Sequence, residues 1–533
     1  GGRPRAPPRG RLVIRLLCHL RAQLDKVLDD DRTVSPQRVQ PGSNPLVRGA
    51  RPTGAHGATR DRRRGRPTLS RSRHMRRLVS TLTAYAGSTI AGLVAGGRSL
   101  PTLIVLIFVL RGALAIAIVP PWQHPDEPQH LALVHVLASE TELDLSDRRD
   151  VNFEHRILRS MAAHGWWRHY EERTPDPVPA SFDGVPDHLA TTVNNPPVYY
   201  LLASAVLTLG GIEDLVTQSY ALRWMALALA APTLLCIWAG TRRLFGPWAA
   251  GGATLLTAVH PQFVLMSTAV NPAVLINLCG AVFWWQAARL LTGAPAAATL
   301  AVLTGATLVG VFTKRAGAPL VVMLATVPMI AWARGRIGQW RASWPAVVGA
   351  AGGLVVIGLL AADWLWPEVA RLGASWSYGL KFSWADRARD WGFLRAFTAG
   401  LSDSAWLVAG WLRYPAPSVW LTLMRVLVVV AAGGCLIGLR RPAMAAWRTG
   451  FVLAGALVAI QVAGVYGGLW VNGYGPQGHY LFPVIGPFMA LVWVGMHAWW
   501  PRQYWAYVSI GVVAFFVVFD AVGWGHVILP AYL

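Results

Sequence analysis

Long apolar segments, separated by short polar stretches, fill the chain from about residue 100 to its C-terminus. A helix needs roughly 20 mainly apolar residues to cross the hydrocarbon core of a bilayer. Eleven segments meet this criterion, near residues 100–119, 219–240, 248–266, 272–290, 296–312, 317–333, 345–362, 416–439, 450–468, 481–499 and 503–524. The pattern predicts an all-α polytopic membrane protein with about 11 (10–13) transmembrane helices and a partly helical first outer loop.

One further apolar piece, Pro196 to Gly211, is shorter than the others. About fifteen residues at 1.5 Å each extend some 22 Å, which is less than the thickness of the hydrocarbon core. The piece is either a short span or a surface helix. We favour eleven net crossings in total, for which this piece and segment 219–240 together make one net crossing.

The composition agrees with a membrane protein. Hydrophobic residues make up 54% of the chain and charged residues only 14%, against about 25% charged in soluble domains. The four cysteines have no paired or metal-ligand spacing, so the sequence predicts no disulfide framework.

The net charge of +22 is concentrated in residues 1–74, which hold seventeen arginines and one lysine against five aspartates. This Arg-, Pro- and Gly-rich stretch has no apolar run long enough to span a bilayer. We expect residues 1–74 to form a disordered tail without a catalytic role. This tail is not necessarily part of the natural protein. Residues 75–533 form the predicted multi-spanning domain, and no nucleic-acid partner is expected.

The distribution of arginines predicts the orientation, because positive charges near span ends collect in the cytoplasm. Of the arginines before the first span, the five nearest to it are Arg71, Arg73, Arg76, Arg77 and Arg98. They indicate a cytoplasmic N-terminus in the plasma (inner) membrane and place loops 120–195 and 363–415 outside. Irregular polar sequence collects on that outer side, so we expect the active face to be external.

An acidic pair, Asp126 and Glu127, follows the first span in the stretch "PPWQHPDEPQHLALVHVLA". Carboxylates at a helix start stabilise the helix, so capping is one interpretation. The other is a catalytic base, because adjacent carboxylates repel and one pKa rises. Nearby histidines, including His130, form no established ligand motif. We therefore predict no metal site and no cofactor, although a divalent cation is compatible with these residues.

Three further polar stretches lie at predicted span ends. "NNPPVYY" contains Asn195 and Tyr199, which suit either an aromatic belt at headgroup level or a groove for acceptor or lipid. "NGYGPQGHYLFP" contains three glycines with Gln477, His479 and Tyr480, and it is either a binding loop or a plain turn.

The third stretch, "FTKRAGAP", puts Lys314 and Arg315 at the outer end of a span, where the orientation rule disfavours them. These cations either extend to lipid headgroups or bind the phosphate of a donor.

Five motifs occur in this order along the chain: "HPDEPQH", "NNPPVYYLL", "AVNPAVLINL", "TKRAGAPL" and "GPQGHYLFP". In these motifs and their order, the chain resembles the GT-C class of integral-membrane glycosyltransferases, which use polyprenyl-phosphate sugars. Within that class it is most similar to a bacterial multi-spanning family of unknown function with a PDEPxH motif. The resemblance implies that Asp126, with Glu127 beside it, is the base toward an acceptor hydroxyl. Two positions depart from the pattern: His479 replaces the usual arginine, and Ala273 replaces a frequent carboxylate.

The sequence thus predicts transfer of a sugar from a polyprenyl-phosphate donor to a cell-envelope glycan or lipid on the outer face. The lipid bilayer is a further expected partner. The residues predicted to bind the donor and acceptor lie at the span ends: His130, Asn195, Tyr199, Asn271, Lys314, Arg315, Gln477, His479 and Tyr480. Two alternatives stay open. They are a transporter or flippase of a lipid-linked saccharide and a catalytically inactive envelope-assembly protein.

Overall fold

The computed structural model describes residues 100–139, 149–167, 173–185, 196–293, 296–333, 391–472 and 477–533. Four predictions fall wholly or largely outside these residues: the tail at 1–74, the span at 345–362, most of the loop 363–415, and Asn195.

The described residues are mostly helical, which confirms the predicted all-α fold class. The α-helices are α1 Leu100–Ile118, α2 Glu127–Ser139, α3 Val151–Ala163, α4 Val198–Gly210, α5 Leu215–Phe245, α6 Pro247–Ala258, α7 Pro261–Met266, α8 Ala273–Leu291, α9 Ala296–Val311, α10 Pro319–Ala333, α11 Trp391–Trp406, α12 Ser418–Arg440, α13 Arg448–Asn472, α14 Ile485–Ala498, α15 Trp505–Gly523 and α16 Leu529–Tyr532. Between α11 and α12, the short strands β1 Val408–Ala409 and β2 Tyr414–Pro415 pair antiparallel.

Seven helical stretches among the described residues are long and apolar enough to cross a membrane. They are Leu100–Ile118, Leu215–Phe245, Ala273–Leu291, Ser418–Arg440, Pro442–Gly467, Gly478–Ala498 and Arg502–Tyr532. Ten of the eleven predicted spans fall within described residues, and all ten are helical. The protein is therefore a multi-pass membrane protein, while the total of eleven crossings stays a prediction.

The predicted span 248–266 is divided into α6 and α7. The division occurs at His260 because Pro261 cannot donate to the preceding turn and disfavours a helical residue before it. His260 is extended and caps the new helix, since its Nδ1 accepts from Phe263 N at 3.2 Å. A buried polar residue thus satisfies a helix start inside the bundle.

Helix α8 and the stretch Gly478–Ala498 form the centre of the bundle, where both are buried over most of their length. Close packing here depends on Gly280. A Cβ at this position would lie 2.0 Å from the carbonyl oxygen of Pro483, so any larger residue would force the two segments apart.

Helix α5 joins the two ends of the bundle. Near its start, Arg223 contacts Glu127 at the beginning of α2. In its last turn, Arg243 donates to Thr292 Oγ1 at 3.4 Å, just after the end of α8. Twenty residues of helix extend about 30 Å, the thickness of a hydrocarbon core. Arg223 and Arg243 are therefore separated along α5 by about the thickness of a hydrocarbon core.

Helix α4 runs beside α2 rather than across the bundle. Tyr200, near its start, contacts His130, and Leu207, near its end, lies in the same cleft as His135. The two helices are therefore parallel, and α5 begins only after α4 has ended at Gly210. Helix α4 has 13 residues and is shorter than the helices long enough to cross a membrane, and the surface-helix interpretation of segment 196–211 stays a prediction.

The orientation can be tested by cysteine labelling in whole cells, in a background whose native cysteines are replaced by alanine. We expect Ser181→Cys and Ser402→Cys to react with a membrane-impermeant maleimide. Thr292→Cys should react only after permeabilisation, because Thr292 lies beside Arg243 at the arginine-rich end. The reverse pattern would place the candidate site on the cytoplasmic side.

Candidate active site

The segment between α1 and α2 is a proline-rich turn with unusual backbone geometry. Trp122 has φ = 70° and Asp126 has φ = 61°. Aspartate tolerates this left-handed region, but a bulky residue such as tryptophan rarely adopts it. Such backbone strain persists only where surrounding contacts hold it, and it often marks functional sites.

Glu127 forms a completely buried ion pair with Arg223. Arg223 Nε and Nη2 donate to the two carboxylate oxygens, each at 2.7 Å, and Ser219 Oγ donates to Oε1 at 2.8 Å. Arg223 also donates to the carbonyl oxygens of Val119 and Pro120, at 2.6 and 2.8 Å. This pair anchors the proline-rich turn on α5, which favours a positioning role for Glu127.

Asp126 is partly exposed and lies within electrostatic range of Lys314, which is also partly exposed and follows α9. Burial raises the pKa of the Asp126 carboxyl, and the cation of Lys314 opposes this rise. Burial also lowers the pKa of Lys314, and the Asp126 carboxylate opposes that change. The two side chains form an opposed charge pair in a poorly hydrated setting, and a carboxyl with a raised pKa suits a general base.

Two buried histidines lie around this pair. His130 Nδ1 hydrogen-bonds the hydroxyl of Tyr200 at 2.8 Å. Burial lowers the pKa of His130, and the nearby Lys314 and His479 lower it further, so His130 is neutral at physiological pH. Among the described residues, His130 Nε2 and His479 Nε2 have no hydrogen-bond partner. Both atoms are therefore ready to bind a polar ligand, because buried polar atoms normally have partners.

The segment 477–480 brings further predicted residues to this position. The ammonium of Lys314 lies 5.4 Å from the centre of the Tyr480 ring, a cation–π contact. Gln461 Nε2 donates to Tyr480 O at 2.7 Å and anchors the segment on α13. Gln477 begins this segment and is partly exposed.

The glycine preceding His479 is required for packing. A Cβ at Gly478 would lie 2.0 Å from the backbone nitrogen of Ala405, and Gly478 N donates to Ser404 Oγ at 2.8 Å. Close approach to α11 therefore explains this glycine without a ligand.

The other predicted residues occupy different environments. Tyr199 is completely buried, with its ring edge-on to Tyr200. Asn271 Oδ1 accepts from Ala273 N at 2.9 Å and so caps the start of α8. The backbone of Arg315 begins a 3₁₀ turn directly after Lys314, and its side chain lies outside the described part.

The described residues hold no group of three or more His, Cys, Asp or Glu side chains that could bind a metal ion. His124 instead lies beside Thr268, with Nε2 3.5 Å from Oγ1. Burial, with Arg223 nearby, lowers the pKa of His124 well below its usual value.

Sequence reasoning missed Arg223 and the role of Tyr200. An arginine within an apolar span was an available signal, because ionisable residues at membrane depth are costly and usually paired. Tyr200 gave no such signal, since an aromatic residue at a span end is common in headgroup belts.

No protein-family model matches the chain, and no curated protein matches it in sequence. Among solved structures, the chain is similar to the Archaeoglobus fulgidus oligosaccharyltransferase in the apo form, with 14% identity, a TM-score of 0.41, and coverage of 79% of this chain and 56% of that chain. It is also similar to the archaeal oligosaccharyltransferase AglB from Archaeoglobus fulgidus in complex with an inhibitory peptide and a dolichol-phosphate, with 12% identity, the same TM-score and the same coverage. The chain spans little more than half the length of these proteins.

Proposed function

We propose that this protein is a membrane glycosyltransferase that moves a sugar from a polyprenyl-phosphate donor to an envelope glycan or lipid on the outer face. One observation carries the proposal. Lys314 lies within electrostatic range of Asp126, His130 and His479, so three distant chain segments meet around its ammonium group. They combine a carboxyl of raised pKa, a cation and two unpartnered histidine nitrogens.

In the proposed reaction, the acceptor hydroxyl attacks the anomeric carbon while the bond from that carbon to the phosphate oxygen breaks. The Asp126 carboxylate takes the hydroxyl proton, and polyprenyl phosphate leaves with the bonding electron pair. Attack in line with the leaving group inverts the anomeric configuration. Lys314 stabilises the charge that develops on the departing phosphate, and neutral His130 supplies a hydrogen bond beside it.

The position of these residues suits a lipid-linked donor and a water-soluble or lipid acceptor. Arg223, which anchors the proline-rich turn, lies about 30 Å along α5 from Arg243. Because this distance matches the thickness of a hydrocarbon core, we place the site at one membrane boundary. A polyprenyl chain would lie in the bilayer with its phosphate at headgroup level. The arginine pattern then assigns this boundary to the outer leaflet.

Purified protein incubated with radiolabelled polyprenyl-phosphate sugars and an envelope extract tests this proposal. We expect at least one sugar to move to the extract, with polyprenyl phosphate as the second product. Donors that stay intact across a complete panel would exclude the assignment.

A transporter of lipid-linked saccharides is a second candidate, favoured by one observation. Arg111 in α1 and Asp520 in α15 form an ion pair within predicted spans, with Nη1 2.7 Å from Oδ2. Transporters often hold charged residues at membrane depth. If the protein is a transporter, the labelled saccharide should cross proteoliposome membranes while it stays attached to its lipid.

Lys314→Gln should weaken donor use. A charge-assisted contact to phosphate contributes about 1.5–3 kcal/mol, so its loss lowers kcat/KM for the donor roughly 10- to 150-fold. Lys314→Arg keeps the charge and should retain more activity, while membrane insertion stays normal in both variants. From its place in the sequence, we expect Arg315→Gln to have a similar effect. Unchanged donor kinetics would indicate that these side chains contact lipid headgroups instead.

The pH profile provides an independent prediction. Activity requires ionised Asp126, so it falls as the pH drops through the raised pKa of this carboxyl, and the acidic limb lies above the usual aspartate value of about 4. The cation of Lys314 favours the ionised form. Removing it in Lys314→Gln should therefore move the acidic limb to higher pH. An acidic limb that moves to lower pH in this variant would contradict the proposed charge pair.

A further inference from the structure

Within the described chain, non-glycine residues with positive φ lie in two loops. Four non-glycine residues there have positive φ: Trp122 at 70°, Asp126 at 61°, Trp411 at 54° and Leu412 at 68°. The first two lie in the proline-rich turn of the candidate site. The other two lie at the tip of the hairpin formed by β1 and β2, almost 290 residues later. Strained residues of this kind persist only where surrounding contacts hold them.

The two strained loops touch each other. Trp411 Nε1 donates to the carbonyl oxygen of Trp122 at 3.1 Å, and the Trp411 ring packs edge-on against Trp166 with 5.7 Å between centroids. The Trp122 ring is held separately, because its Nε1 donates to Ser160 Oγ at 3.1 Å. The hairpin thus fixes the backbone of Trp122, while α3 fixes its side chain.

The hairpin itself is anchored to two other elements. Val408 N donates to Gln262 Oε1 on α7, and Gly410 N donates to the Tyr532 hydroxyl on α16, each at 2.9 Å. Gly410 has φ = 58°, and a Cβ there would lie 2.6 Å from the Tyr414 ring. Glycine permits this tight turn, and the two anchoring hydrogen bonds hold the hairpin from which Trp411 projects.

Three carbonyl groups of the proline-rich segment are therefore held by donors from other parts of the chain. Arg223 holds those of Val119 and Pro120 from α5, and Trp411 holds that of Trp122 from the hairpin. Asp126 lies four residues beyond Trp122, and prolines at 125 and 128 restrict the backbone around it. A displacement of Trp122 would thus be transmitted to the Asp126 carboxylate.

We propose that Trp411 is a positioning residue, whose indole N–H holds the proline-rich turn so that Asp126 faces the reacting hydroxyl. The catalytic part of this inference rests on the proposed glycosyltransferase function, and the structural part does not. Reacting groups must be placed within a fraction of an ångström, so the loss of one supporting hydrogen bond affects the rate more than binding.

Trp411→Phe tests the inference because it removes the N–H and keeps an aromatic ring against Trp166. Leu412→Ala is the matched control, since Leu412 lies at the same hairpin tip, is 41% exposed and shares the positive φ. Two measurements are made on the full-length protein in lipid nanodiscs. They are sugar-transfer kinetics with the radiolabelled polyprenyl-phosphate panel and hydrogen–deuterium exchange of the peptide covering residues 119–131.

In Trp411→Phe we expect kcat to fall roughly 2- to 13-fold, the loss expected for one hydrogen bond, with donor KM unchanged. Exchange in the 119–131 peptide should become faster, while exchange in α8 stays as in the wild type. Leu412→Ala should change neither measurement.

Exchange that is unchanged in Trp411→Phe would overturn the inference, whatever the activity. Faster exchange with wild-type kcat would show that the hairpin supports the turn without positioning the base, and would also overturn it. If the wild-type protein uses no donor in the panel, the proposed function fails, and faster exchange still supports the structural contact.

Discussion

Replacing Asp126 by asparagine is expected to reduce sugar transfer by about 10²- to 10⁴-fold, the usual contribution of a general base. The substitution changes one oxygen to nitrogen, so it removes the proton acceptor with little change in volume. Donor binding should persist, because Lys314 and the two histidines stay in place. Initial rates with saturating donor, together with the amount of protein in the membrane, measure the effect.

Asp183→Asn is the matched control for this variant. Asp183 lies in the same loop between α1 and α4, its side chain is 69% exposed, and it pairs with Arg149 at 2.8 Å. We expect wild-type transfer in the control, since surface ion pairs contribute little. A wild-type rate in Asp126→Asn would exclude the catalytic assignment and favour a helix-start role for the carboxylate.

Arg223→Met is expected to have the largest effect on stability, with a loss of about 3–5 kcal/mol in the free energy of unfolding. The substitution leaves the carboxylate of Glu127 buried without its cation. It also removes the donors to Val119 O and Pro120 O. Denaturant titration in detergent micelles measures the change, and the variant should accumulate less in the membrane.

A double-mutant cycle separates the ion pair from the other contacts of Arg223. Glu127→Leu alone leaves a buried guanidinium without its carboxylate, so it should also be strongly destabilising. The double variant Glu127→Leu/Arg223→Met removes both charges and should lose much less than the sum of the two single losses. Strict additivity of the two losses would contradict a direct buried interaction.

Much of the helical architecture could be predicted from sequence, because a membrane span imposes a length of apolar residues that is visible without any tertiary contact. The division of 248–266 shows where this reasoning stops. Hydropathy averages over the segment and does not register Pro261, while the structure places a capped helix start there. Local backbone chemistry, rather than hydropathy, determined that boundary.

From the sequence, the residues of the candidate site were predicted as separate motifs, and each motif also had a purely structural interpretation. Asp126, Lys314 and His479 lie at predicted span ends more than 160 residues apart in the sequence, and nothing in a single sequence indicates which ends meet. The tertiary structure brings Lys314 within electrostatic range of both Asp126 and His479. It also gives the two adjacent carboxylates different environments: Glu127 forms a buried ion pair with Arg223, and Asp126 is partly exposed. The distinction depends on which helix faces each side chain.

The sequence by itself determined that this chain is a helical membrane protein with polar, proline- and glycine-rich segments at the ends of its spans, because the bilayer dictates apolar length and the prolines dictate local turns. Only the tertiary structure decided which ends converge, and that Trp411 supports a strained turn far away in the sequence. Burial and long-range hydrogen bonds arise from packing between helices, and one residue's neighbours along the chain do not specify them.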